Sequence, residues 1–253
     1  MRLLAGDEPS PVMVSHAAGR SVFFIACDHA SRRIPRALGT LGLPEGELQR
    51  HIAWDIGAWA VASRLADALD AFSIGQAYSR LVIDCNRPPH LPSAIPEISE
   101  ATPVPGNLGI GTAARAARVE EIFRPYHDRI ATELDARAGA PTLLIALHSF
   151  TPVYKGVARP WHAGVLFNQD AGISRIMLDL LRAEEGLVIG ENQPYSVSDV
   201  SDYTAPVHAE ARGLPYLELE IRQDLIAHDA GQQAWADRLA RLLPLAYRRF
   251  RDA

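Results

Sequence analysis

The feature that most constrains the fold of this chain is the alternation of short, continuous apolar runs with longer amphipathic segments. Residues 21–27 and 142–147 are apolar at nearly every position, which is typical of strands buried on both faces. Residues 55–69 carry apolar side chains at helical spacing. This alternation predicts an α/β fold, with a mostly parallel or mixed central sheet covered by helices on both faces.

The same patterns assign the remaining elements. Further strands are predicted at residues 72–78, 81–85, 163–167, 187–189 and 216–221. Further helices are predicted at residues 112–137, 173–183 and 231–248, with a kink in the first of them at Pro125. A chain of 253 residues is near the upper size for one hydrophobic core, so a single domain over residues 1–253 is expected.

Composition narrows the class of protein. The chain has 30 Asp and Glu against 25 Lys and Arg without a basic cluster, which predicts no nucleic-acid partner. No apolar run approaches the ~18 residues of a membrane span, and the first residues do not resemble a signal peptide. Cys27 and Cys85 lie in apolar runs, as expected for buried thiols in a reducing compartment. These features predict a cytoplasmic enzyme and leave its oligomeric state open.

Residues 87–111 form the one long segment without apolar periodicity. The segment contains six prolines and few apolar side chains, so it is expected to be a loop. Long loops within compact domains are commonly functional. We interpret it as a wall or lid over a site, with a plain surface loop as the alternative.

Polar side chains cluster where the predicted strands end. In open α/β sheets, ligands bind beyond the carboxyl ends of the strands. The polar residues at or near such ends are His29, Asp55, Asn86, Arg87, His148, Glu218 and Glu220. The sequence therefore predicts that these side chains converge at one edge of the sheet.

Two histidines and one carboxylate from this set match the needs of a catalytic zinc ion. Such an ion takes about three N or O ligands and keeps one position for water, and His29, Asp55 and His148 meet that count. The ion lowers the pKa of the water towards 7, and Glu220 is placed to transfer its proton. The same ligands also suit iron, cobalt or manganese.

Each of these residues also has a simpler interpretation. A histidine after a strand is more often a hydrogen-bonded structural residue, and Asp55 at a predicted helix start is by default an N-cap. Glu218 and Glu220 share one face of their strand, so one is explained equally well as a solvent-facing partner of the other. Their coincidence at strand ends is what favours the metal site.

A substrate carboxylate is the expected partner of the arginines. The planar guanidinium of Arg87 matches a carboxylate with two parallel hydrogen bonds, and Asn86 adds a donor beside it. Arg80 is predicted to reach the same pocket, with a surface ion pair as the alternative for either arginine. His208 lies in a polar segment and is a further candidate for substrate contact.

Taken together, the motifs resemble the N-formylglutamate amidohydrolase (deformylase) family, within the wider zinc carboxypeptidase-like group. The matching pieces are DHAS, HIAWDIGA, YSRLVIDCNRP, ALHSFTP, AGVLFN and ARGLPYLELEIRQDLI. They extend from about residue 27 to residue 226 and so cover most of the chain. In this family the first motif usually reads PHSG or PHAG, so DHAS is a departure that places the charge of Asp28 beside His29.

The resemblance implies an activity and a set of roles. It implies that His29, Asp55 and His148 are zinc ligands, that Glu220 is the general base, and that Asn86 with Arg87 binds a substrate carboxylate. The implied reaction is hydrolysis of the amide of a small N-acyl amino acid, with N-formyl-L-glutamate as the archetype. A related zinc hydrolase of peptides or other acyl-amides, and a non-catalytic ligand-binding relative, are the alternatives.

Overall fold

The architecture is that of a computed structural model, which describes residues 2–253. Its strands are β1 (Val12–Ser15), β2 (Phe23–Cys27), β3 (Phe72–Gln76), β4 (Ile98–Ser99), β5 (Thr102–Pro103), β6 (Leu143–Phe150), β7 (Val153–Tyr154), β8 (Val157–Ala158), β9 (Ala163–Leu166), β10 (Ile189–Glu191) and β11 (Tyr216–Arg222). Its α-helices are α1 (Glu45–Leu48), α2 (Ala58–Leu69), α3 (Thr112–Arg118), α4 (Arg124–Asp135), α5 (Gly172–Arg182) and α6 (Asp229–Arg251).

Seven strands form one mixed sheet in the order β1-β3-β2-β6-β11-β9-β10. The neighbours β3 and β2, β2 and β6, and β6 and β11 are parallel. Strand β1 runs antiparallel to β3, and β9 runs antiparallel to β11. The sheet confirms the predicted mixed α/β architecture, and its parallel centre brings the carboxyl ends of β2, β6 and β11 to one edge.

Alternate residues of the central strands pack into two separate apolar layers. In β2, Phe24 faces the layer that contains Tyr126 and Ile130 of α4. Its neighbour Ile25 faces the opposite layer, which contains Val61 of α2 and residues of α5 and α6. Because both faces are covered, the strand is apolar at consecutive positions, and each fully buried side chain of this size contributes about 1.5–3 kcal/mol.

The predicted strand at residues 81–85 is wrong. These residues form turns and irregular backbone: the backbone N–H of Val82 donates to the carbonyl of Ser79, and that of Asp84 to the carbonyl of Ala94. Leu81 and Cys85 are nonetheless fully buried. The apolar run therefore predicted the burial of these residues correctly, but it predicted their backbone conformation wrongly.

Smaller differences concern element ends. Strand β6 continues to Phe150, so His148 lies within a strand and not after it. Helix α2 begins at Ala58, which leaves Asp55 in the preceding turn, and no side chain caps this helix. The helix predicted at residues 112–137 is interrupted by a π-helical turn, Val119–Phe123, immediately before α4 and Pro125. Strand β1 was not predicted. Within residues 2–253, no helix combines the length and apolar character that a bilayer crossing requires.

Gly57 is the residue that allows the chain to turn from Asp55 into α2. Its φ of 80° lies in the left-handed region, and a Cβ added there would lie 2.1 Å from the carbonyl oxygen of Ile226. Both the backbone conformation and the close approach therefore require glycine. The position of Asp55 depends on this turn.

We expect Gly57→Ala to lower the free energy of unfolding by about 3 kcal/mol, the sum of left-handed strain and overpacking. Gly213→Ala is the matched control, because Gly213 also has a positive φ of 64° but open space around it. The control should lose only about 1–2 kcal/mol. Urea titration of both variants measures the difference, and equal losses would contradict the role of the close contact.

Candidate active site

A cavity of about 530 Å³ opens at the sheet edge where β2, β6 and β11 end. The polar residues that line it include His29, Asp55, Arg80, Asp84, Asn86, Arg87, His148, Asp202, Glu218 and Glu220. Its lining also includes Ser93, Pro96, Ile98, Ser99 and Glu100. Those five residues belong to the proline-rich segment 87–111, so the prediction that this loop forms a wall of the site is confirmed.

His29, Asp55 and His148 form a buried cluster at the base of the cavity. The Oδ2 atom of Asp55 lies 3.2 Å from Nδ1 of His29 and 2.9 Å from Nδ1 of His148. One ligand atom from each residue falls within 4.8 Å of the other two. In a tetrahedral site with bonds of about 2.0–2.2 Å, donor atoms lie roughly 3.3–3.6 Å apart, so this cluster could hold a metal ion.

The outer nitrogen of each imidazole faces a second carboxylate. Nε2 of His29 lies 2.7 Å from Oδ1 of Asp84, and Nε2 of His148 lies 3.5 Å from Oδ2 of Asp28. Metal-binding histidines typically direct their second nitrogen to such a group, which orients the ring. The donor set therefore fits a metal ion in its surroundings as well as in its ligands.

Arg80 binds the carboxylates of this cluster. Its Nε and Nη2 atoms donate to Oδ2 of Asp84 at 3.1 and 2.7 Å, and its Nη1 donates to Oδ1 of Asp55 at 3.3 Å. The residue lines the cavity as predicted, but these contacts occupy most of its donors. The geometry supports a role in holding Asp55 and Asp84 more than a direct hold on substrate.

The electrostatics of the cluster favour positive charge. Burial disfavours a charged His148, but the carboxylates of Asp28 and Asp55 outweigh this effect and raise the pKa of its imidazole well above the usual value. Burial and Arg80 likewise disfavour a charged His29, but Asp84 and Asp55 raise its pKa. Buried carboxylates need compensating charge, which protons or a cation supply.

Glu218 and Glu220 of β11 are the candidate proton carriers. Glu220 pairs with His148 in the parallel register of β11 and β6, which places it beside the cluster. The Oε2 atom of each glutamate is buried without a hydrogen-bond partner among residues 2–253. Burial raises the pKa of Glu220 to about 8 and that of Glu218 to about 7, with His148 opposing both shifts. Carboxylates that titrate near neutrality suit acid–base chemistry.

Arg87 and Asn86 line the cavity, and each keeps donors that are not used within the described part of the chain. Nη1 of Arg87 is held by the carboxylate of Asp202 and by the carbonyls of Asn86 and Ser201. Its Nε and Nη2 have no partner in the described part of the chain. Oδ1 of Asn86 accepts the backbone N–H groups of residues 203 and 204, which leaves the amide nitrogen as a donor.

His208 lies elsewhere, against the sequence-based expectation of a substrate contact. Within residues 2–253 it is not part of the cavity wall, because the segment Ala205–Ala209 folds as a π-helical turn that directs it towards α4. There its Nε2 lies 2.9 Å from Nδ1 of His127, and burial lowers the pKa of His208 to about 3. Burial also lowers the pKa of His127, to about 4, so this buried contact favours the neutral form of both imidazoles.

The sequence reasoning missed the carboxylates that face the outer nitrogens. Asp84 was hidden because residues 81–85 read as a strand, although its place directly before Asn86 and Arg87 in YSRLVIDCNRP was a usable signal. From the sequence Asp28 is only an extra charge beside His29, whereas in the structure its side chain lies next to His148.

Comparison with known proteins identifies relatives of this chain. The profile of the N-formylglutamate amidohydrolase family matches residues 21–227. The crystal structure of a gene product from Agrobacterium tumefaciens is 38% identical, with a TM-score of 0.95 over 99% of this chain and 100% of that one. The N-formylglutamate amidohydrolase from Ralstonia eutropha is 18% identical, with a TM-score of 0.69 over 97% of this chain and 100% of that one, and it shares the fold.

No protein with a curated description matches the sequence significantly. The family match covers well over half of the chain, and the relative from Agrobacterium tumefaciens extends over nearly all of it. The chain belongs to the N-formylglutamate amidohydrolase family, a family of hydrolases.

Proposed function

We propose that this protein is a zinc-dependent hydrolase that cleaves the amide bond of an N-acyl amino acid, with N-formyl-L-glutamate as the archetype. The observation that carries the proposal is the buried cluster of His29, Asp55 and His148, which shares one cavity with Glu220 and Arg87. Two imidazoles and a carboxylate are the ligands of many catalytic zinc sites. Zinc held there would polarise the amide carbonyl and lower the pKa of the attacking water.

Glu220 serves as the general base in this mechanism. It accepts a proton from the water that attacks the acyl carbon, and it delivers that proton to the amine nitrogen as the C–N bond breaks. Its raised pKa favours the second step, because the protonated acid forms readily near neutral pH. Positive charge at the neighbouring cluster favours the first step by lowering that pKa when the site is loaded.

Arg87 and Asn86 orient the substrate. The contact with Asp202 fixes one edge of the guanidinium and leaves Nε and Nη2 to bind a carboxylate through two parallel hydrogen bonds. The amide nitrogen of Asn86 donates a third. A substrate anchored at this point presents its amide to the cluster and to Glu220, which lowers the entropic cost of reaction.

Removal of the metal tests the proposal most directly. We expect dialysis against a chelator to abolish formate release from N-formylglutamate, and stoichiometric Zn²⁺ to restore it. The melting temperature should fall as well, because removal of the metal leaves the buried carboxylates without a compensating cation. Full activity in protein shown to be metal-free by elemental analysis would overturn the proposal.

Substitution of the two glutamates separates their roles. We expect Glu220→Gln to lower kcat by about 10²–10⁴-fold with little change in KM or zinc content, since the general base is lost. Glu218→Gln is the matched control, because it removes the same charge from the same face of β11 two residues away. Steady-state kinetics on both variants measure the difference. A loss of activity in Glu218→Gln alone would contradict the assignment of Glu220 as the general base.

A larger acyl-amide or a short peptide is the second candidate substrate. The cavity of about 530 Å³ lies within the ~300–1,000 Å³ range of sites for drug-sized ligands, and N-formylglutamate is smaller than such ligands. Phe150, Tyr154 and Tyr195 also line this cavity and offer apolar area for a bulkier group. The metal cluster and Glu220 would act in the same way on that substrate.

The response of Arg87→Ala to the substrate identifies what the arginine binds. We expect the variant to lower kcat/KM for N-formylglutamate by about 10–100-fold, as for the loss of a charge-assisted hydrogen bond. For an analogue in which an amide replaces the recognised carboxylate, the variant and the wild type should have similar kcat/KM values. Equal losses with every analogue would contradict a carboxylate anchor, and higher kcat/KM for bulky N-acyl groups would favour the second candidate.

A further inference from the structure

We infer that Asp28 is a positioning residue that orients His148 within the cluster. The inference rests on the proposed metal site and concerns a side chain for which the family resemblance implies no role. Asp28 precedes His29 in the chain, but its carboxylate turns towards the ring of His148 on the neighbouring strand β6. It is fully buried, so its contacts are made within the protein.

Two hydroxyl groups hold the carboxylate of Asp28 in place. The Oη–H of Tyr126, on α4, and the Oγ1–H of Thr204 each donate to Oδ1 of Asp28 at 2.8 Å. Two donors on one oxygen fix the plane of the carboxylate and direct the second oxygen, Oδ2, at the imidazole. Two separate segments of the chain therefore hold the carboxylate of Asp28 in one orientation.

The second oxygen of Asp28 and the imidazole of His148 face each other without forming a hydrogen bond. Oδ2 of Asp28 and Nε2 of His148 are both buried without a hydrogen-bond partner among residues 2–253, and they lie 3.5 Å apart. A charge-assisted hydrogen bond has a length of about 2.7–2.9 Å, so a small rotation of the ring would complete it. Buried polar groups are normally hydrogen-bonded, so a donor and an acceptor that face each other in this way are natural partners.

The chemistry of imidazole gives this pair its function. A histidine that binds a cation through Nδ1 carries its proton on Nε2, and a carboxylate at Nε2 stabilises that tautomer. Nδ1 of His148 faces Asp55 and the cluster, so Asp28 stands at the required position. For His29 the same position is taken by Asp84, whose charge is shared with Arg80. In the described part of the chain no arginine or lysine forms an ion pair with Asp28.

The test is the zinc affinity of Asp28→Asn, measured by competition with a chromophoric chelator. We expect its Kd to be 10–100-fold weaker than that of the wild type, the usual loss for an outer partner of a metal-binding histidine. The absorption spectrum of the Co²⁺-loaded variant should also shift, a readout that does not depend on activity. Unchanged affinity and an unchanged spectrum would overturn the inference.

The double variant Tyr126→Phe/Thr204→Val tests the support of Asp28. It removes both hydroxyls but keeps the charge of Asp28, so we expect a loss of zinc affinity no larger than that of Asp28→Asn. A zinc affinity equal to that of the wild type would overturn the orientation of Asp28 by these hydroxyls.

Measurements on the wild type keep the test decisive if Asp28→Asn does not fold. In the zinc-loaded protein, the Nε2 proton of His148 should give a downfield, exchange-protected NMR signal, and absence of that signal would overturn the inference. Failure of the proposed function would be distinct, because the wild type would then bind no zinc.

Discussion

The site depends on the contact of one oxygen of Asp55, Oδ2, with the Nδ1 atoms of both His29 and His148. It joins the end of β2, the turn before α2 and the strand β6. The backbone reinforces the junction, since the N–H of Asp55 donates to the carbonyl of His29 and the N–H of Ser149 donates to Oδ2 of Asp55 at 3.3 Å. Movement of any one of these three segments would separate the ligand atoms.

Such a cluster is a poor source of stability. Burying a carboxylate costs several kcal/mol unless it is paired, and the pairing only partly offsets the cost. The two apolar layers on either side of the sheet supply the stability that the site lacks. The polar residues are concentrated at one sheet edge, where several strands end together and where Asp28, Asp55 and Asp84 each lie beside a histidine.

The sequence predicted burial better than it predicted backbone conformation. The mixed sheet and its long helices could be predicted from apolar spacing, because packing on both faces of the sheet requires apolar residues at regular positions in the sequence. Residues 81–85 carry the same apolar signal but form turns, so the pattern could not place Asp84. The strand-end rule grouped His29, Asp55 and His148, yet it could not show that Asp28 points to His148 or that His208 points away from the cavity. Those outcomes depend on side-chain directions set by tertiary packing.

The segment of residues 201–204 links the two halves of the site. The side chain of Thr204 donates to Asp28 beside His148, while its backbone N–H donates to Oδ1 of Asn86. Two residues earlier, Asp202 binds the guanidinium of Arg87. One short segment therefore contacts Asp28 beside the cluster and also Asn86 and Arg87, the proposed carboxylate anchor. The spacing between the cluster and Arg87 depends on this segment together with the turns at residues 81–85. Under the proposed function, that spacing would determine the length of substrate whose amide reaches Glu220.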